Sequence, residues 1–168
     1  MSGALIVASL LLIGAGGAKV VRPHDTVRAM RGAGLPVGVG LVRSGALLEV
    51  GIGCAALTLG GPIPAGAVAV SYLGFAGFLA VALGRGWSLS SCGCFGQPDT
   101  PPTPMHIVVD VVLAAGAGLA ASGRGAPALA IAAARPFPGV VTIAMATVTA
   151  GMVYLVLSRL PQLKVVTQ

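Results

Sequence analysis

A chain of 168 residues that is 56% hydrophobic and only 8% charged, with a mean hydropathy of +0.97, cannot cover a water-facing surface, because soluble domains carry about 25% charged residues. Lipid is therefore the solvent for much of its exterior, and the expected class is all-α, a single integral membrane domain over 1–168. The net charge of +6 and pI of about 10.1 fit topology signals and anionic headgroups and argue against nucleic-acid binding, since no basic run with interleaved aromatics is present.

The chain begins Met1-Ser2-Gly3 and runs straight into apolar residues. Without a positive n-region or a clear cleavage site, this reads as a retained first helix over about 3–21 and not as a signal peptide. No C-terminal lipidation motif is evident. The connection 19–36 holds Lys19, Arg22, His24, Asp25, Arg28 and Arg31. Within it, residues 23–34 suit a short amphipathic helix in the headgroup region, with Val27 and Met30 on one face and Arg28 and Arg31 elsewhere. A second span over about 37–59 is interrupted by Arg43 and Glu49, and a third covers about 63–83. The connection 84–104 carries Cys92-Gly93-Cys94 and ends in a proline-rich run. Thr103 before Pro104 resembles an N-cap followed by proline at the first helical position. A fourth span covers about 105–122 and a fifth about 138–157, while the apolar stretch 126–134 is too short to cross, since a span needs roughly 20 residues. Gly14 and Ala18, Gly51 and Ala55, and Ala114 and Gly118 each lie four apart and read as close helix contacts. Trp87 and Tyr72 read as packing and interface anchors.

Cys92 and Cys94 are the first candidates for chemistry. Two cysteines separated by one glycine close a disulfide only in a small, strained ring, and strain makes the pair more oxidising. Gly93 supplies the backbone freedom such a ring needs. A staple this short constrains little of the unfolded chain, so exchange suits it better than structural stabilisation. Half of a metal site, or two incidental cysteines, are the competing readings. Cys54 in the second span reads as a small apolar packer, with a third thiol or ligand as the alternative.

Glu49, near the middle of its span, is costly in hydrocarbon and needs a partner or a role. Lys19 and Arg43 are the available cations, although Arg43 sits on a different face and is suited to snorkelling. His106 and Asp110 share a face of the fourth span. They form either a helix-end hydrogen bond or a pair that tunes a thiolate, since a nearby imidazolium lowers a cysteine pKa.

The string Cys92-Gly93-Cys94-Phe95-Gly96 resembles the CGCFG signature of the MauE family, membrane proteins of methylamine utilisation grouped with DoxX-like proteins. Lys19 followed by Arg22-Pro23 resembles the family's Lys-x-x-x-Pro ending of its first helix, Gly34-Leu35-Pro36 its Gly-Leu-Pro turn, and Glu49 its glutamate in helix two. The resemblance covers about 5–122. It implies a DoxX/MauE-like four-helix core, with the segment 138–157 as an added fifth helix. It also implies a thiol-disulfide oxidoreductase working with a thioredoxin-like soluble partner in maturing a secreted enzyme, which in the founding system is methylamine dehydrogenase. By position, Cys92 and Cys94 become the redox pair, and Lys19 and Glu49 intramembrane polar residues. An arginine common early in the family's last helix is absent here, and Asp110 stands nearby.

With five spans, Lys19, Arg22, Arg28, Arg31, Arg85, Arg159 and Lys164 share a side with the cysteine loop, and Arg124 and Arg135 lie opposite. The positive-inside rule places that loop in the cytoplasm. Disulfide chemistry and the family resemblance favour the oxidising exterior, which is the side expected here. The leading function is thus membrane thiol-disulfide exchange, with no metal and no specified cofactor; the sequence does not show the electron acceptor, for which a quinone is one candidate. A heavy-metal carrier using Cys92, Cys94, Cys54, Met105 and His106, and a structural assembly subunit of an oligomer or complex, are the alternatives.

Overall fold

The structure, a computed structural model, describes residues 2–87, 103–123 and 136–166. Its elements are α1 (Ser2–Val21), α2 (Pro23–Gly32), α3 (Val39–Thr58), α4 (Pro62–Gly84), α5 (Pro104–Ser122) and α6 (Pro136–Val166). All except α2 are long and apolar enough to cross a membrane, so the five expected spans are present. The protein is an integral membrane helical bundle.

Local chemistry explains the boundaries. Proline occupies the first turn of α2, α4 and α5, where its missing N–H costs nothing. Gly60 and Gly61 both adopt positive φ, 64° and 84°, and reverse the chain between α3 and α4. Gly34, at φ 78°, ends the α2 segment just before Pro36. The α6 helix, Pro136–Val166, runs past the expected span, and its membrane-crossing part is Phe137–Val156.

Helix α1 is the hub, packing against α3, α4, α5 and α6. The core is built mostly of alanine: Ala8, Ala56, Ala69, Ala114 and Ala117 surround Leu12, Val68 and Tyr72. In lipid there is little hydrophobic drive between helices, so small side chains that permit close approach supply the packing. The Tyr72 hydroxyl donates to the Ala8 carbonyl at 2.7 Å and ties α4 to α1. Large apolar residues such as Leu41, Leu48, Val70, Val112 and Leu119 point outward, as a lipid-facing exterior requires. Helix α6 lies outside this core and rests on α1, with Ala146 and Ala150 against Ile6, Val7 and Leu11.

Helix α2 is amphipathic, as its sequence leads one to expect. Its buried face, including Val27 and Ala29, turns to the bundle, and Ala29 and Ala33 pack with Ala82, Phe78 and Trp87 at the end of α4. Trp87 serves as an anchor there, with the Arg85 guanidinium 5.6 Å from its ring, whereas Tyr72 is a core residue.

Of the three small-residue pairs four apart, Ala114 is buried in the core, but the glycines of all three pairs make no close helix contact. Gly14 and Gly51 face open space, and a Cβ there would touch nothing. At Gly16 a Cβ would sit 2.8 Å from the Ala46 carbonyl oxygen, and at Gly53 2.6 Å from Ile13 Cγ1 and 3.0 Å from the Ser9 carbonyl oxygen. Spacing alone does not say which face of α3 turns toward α1. Gly16→Ala is therefore expected to lower bundle stability by about 1–3 kcal/mol through overpacking, while Gly51→Ala leaves it unchanged or raised. Unfolding of the two purified variants in detergent checks this, and equal stabilities would contradict the contact.

Candidate functional site

The α1–α3 contact at Gly16 brings together two residues that hydrocarbon would otherwise exclude. Lys19 stands in the last turn of α1, one turn beyond Gly16, and is only 7% exposed. Glu49 lies midway along α3. The Lys19 Nζ donates to both carboxylate oxygens, at 2.8 Å to Oε1 and 2.7 Å to Oε2. The ammonium also stands 4.6 Å from the centre of the Phe75 ring on α4, a cation–π contact. A buried charge survives only when paired and hydrogen-bonded, and here each ion satisfies the other. Of the two cations available to Glu49 in the sequence, the structure selects Lys19. Arg43 is exposed on a different face of α3.

The pair forms the floor of a cavity of about 290 Å³. Its walls come from Thr26, Ala29 and Met30 of α2, Val42, Gly45 and Ala46 of α3, and Gly74, Phe75 and Phe78 of α4. Leu41, Gly45 and Gly74 at its edge are exposed, so the space opens sideways between α3 and α4. The walls are almost wholly apolar, and the floor carries the one charged couple.

His106 and Asp110 occupy successive turns of α5, as their spacing implies. His106 is buried and closes a capping box: the Thr103 N–H donates to His106 Nδ1 at 3.3 Å, and the Thr103 hydroxyl lies 2.9 Å from the same nitrogen. This is the helix-end arrangement, and it orders the start of α5. Asp110 is half-buried one turn further on.

Cys92 and Cys94 lie outside the described residues. The described flanks of their connection are Trp87 after α4, which packs with α2, and Thr103 before α5, a helix whose later residues Ala114 and Ala117 pack with Val68, Ala69 and Tyr72 in the first half of α4, so that the two helices run antiparallel and α5 starts toward the end of α4. Cys54 departs from expectation: it is exposed on the outer face of α3 and does not pack in the core. It also sits near the far end of α3, roughly 20 Å along the axis from that helix's start at about 1.5 Å per residue. The structure therefore does not gather Cys54 with Met105 and His106 at the start of α5. Phe75 and the cavity walls were not distinguishable in the sequence. A phenylalanine inside a continuous apolar run gives no sign that it faces an ammonium.

A family model described as methylamine utilisation protein MauE matches residues 2–123, which takes in α1 to α5 whole. No curated protein and no solved structure matches the chain.

Removing one member of the ion pair strands a charge. Lys19→Met or Glu49→Leu alone is expected to cost about 3–5 kcal/mol, and the double variant to regain most of that loss. Denaturant unfolding of the three variants in the same detergent measures the coupling, and additive losses in the double variant would contradict a matched buried pair.

Proposed function

The chain belongs to the MauE family of methylamine utilisation membrane proteins, and from that premise we propose that it is a multi-pass membrane thiol-disulfide redox protein serving the maturation of an exported protein. The observation that carries the reading is the Cys92-Gly93-Cys94 pair within the matched segment. A small strained disulfide is a good oxidant. A thiolate of a soluble thioredoxin-like partner attacks one sulfur, and a mixed disulfide forms. The partner's second thiolate then displaces it. The partner leaves oxidised, and Cys92 and Cys94 are left as two thiols carrying the electron pair and two protons.

The architecture supports this chemistry in two ways. The capped start of α5 and the Trp87 anchor hold both flanks of the cysteine connection at one end of the bundle. Several of the cations counted by the positive-inside rule are also engaged locally: Lys19 with Glu49, Arg31 with the Val37 carbonyl at 3.1 Å, and Arg85 over Trp87. Charges held in packed contacts are weaker topology signals than free loop charges. An extracytoplasmic cysteine loop, facing an oxidising compartment, is thus compatible with the basic character of that end.

Cys92→Ser or Cys94→Ser is expected to trap a mixed disulfide with the partner or to abolish it, visible as a reducible adduct on a non-reducing gel. The double variant is expected to stop maturation of the disulfide-bearing exported protein. A membrane-impermeant thiol reagent applied to intact cells is expected to label the pair only after reduction. Full function of a chain lacking both cysteines would overturn the proposal and leave a packing scaffold.

A further inference from the structure

We propose that the cavity above the Lys19–Glu49 pair binds the ring of a membrane quinone that enters sideways between α3 and α4. A cavity of 150 Å³ lined by apolar side chains accepts benzene, so about 290 Å³ has room for a substituted quinone ring. Phe75 and Phe78 offer aromatic walls, and the ammonium of Lys19 lies where a carbonyl oxygen can meet a donor. The opening at Leu41, Gly45 and Gly74 faces the lipid side of the bundle, which lets an isoprenoid tail remain in the membrane. Charge decides between headgroups. Because Glu49 already balances Lys19 at 2.7 Å, an anionic head such as a fatty-acid carboxylate would leave the apolar cavity with unmatched negative charge, whereas a neutral quinone leaves it balanced.

In its electron transfer this inference rests on the thiol-disulfide reading. The quinone takes two electrons and two protons from the Cys92 and Cys94 thiols, leaving a hydroquinone and the disulfide. Binding itself does not require that step.

The test uses the full chain in detergent, titrated with a benzoquinone bearing a short alkyl tail. Trp87 is the single tryptophan, and its ring centre is 6.4 Å from that of the cavity residue Phe78, so its fluorescence reports occupancy. Saturable quenching is expected. Gly74→Leu and Gly45→Leu, at positions where an added Cβ meets nothing within 4 Å, are expected to fill the space and weaken binding about tenfold or more, with an unchanged helical circular dichroism spectrum as the check on folding. Gly51→Leu, on open surface of α3, is expected to leave it unchanged. The double variant Cys92→Ser with Cys94→Ser is expected to bind as before, which separates failure of the cavity from failure of the thiol chemistry. Quenching that never saturates, that is equal in every glycine variant, or that an alkyl carboxylate of the same length displaces more strongly than the quinone would overturn the proposal.

Discussion

An ammonium and a carboxylate inside a membrane bundle are tolerable only together, and the arrangement of this protein follows from keeping Lys19 and Glu49 together. The contact needs α1 and α3 to approach closely, which the bare backbone at Gly16 permits. It needs the end of α1 to stay beside α3, and α2 secures this by folding its buried face onto the bundle directly after Lys19. It gains a third side from α4, whose Phe75 ring faces the ammonium. Three helices thus meet at one polar point, and the cavity lies between that point and α2.

The same contact explains why the core is so poor in large side chains. A bundle held by bulky leucines would set α1 and α3 too far apart for a lysine in the last turn to chelate both carboxylate oxygens. Alanine at positions 8, 46 and 56 lets α1 and α3 pack without bulk between them, and many of the large apolar side chains are turned outward to lipid. Packing in the bundle and burial of the charge pair are therefore one solution and not two.

Much of this was legible in the residues. Long apolar runs mark the spans because nothing else satisfies the backbone in hydrocarbon. The amphipathic character of α2 and the Thr103-Pro104 start of α5 follow from local chemistry, and the CGCFG string pointed to the family that the match to residues 2–123 bears out. Glu49 announced that it needed a cation, and Lys19 was one of two on offer. What was not legible depended on rotation about helix axes. Glycine is frequent along α1 and α3, so four-residue spacing selected Gly14 and Gly51 where the contact uses Gly16 and Gly53. Cys54 looked like a core residue for the same reason, yet it faces outward. The cavity belongs to four helices at once and leaves no trace in any one of them.

The doubly bonded Lys19–Glu49 couple has a bearing on energetics beyond folding. A lone charge carried across a bilayer works with or against the membrane voltage, at about 2.3 kcal/mol per 100 mV. Two opposite charges held 2.7 Å apart present the field with no net charge to pull on. The membrane voltage therefore exerts no net pull on the couple as a whole toward either face of the bilayer.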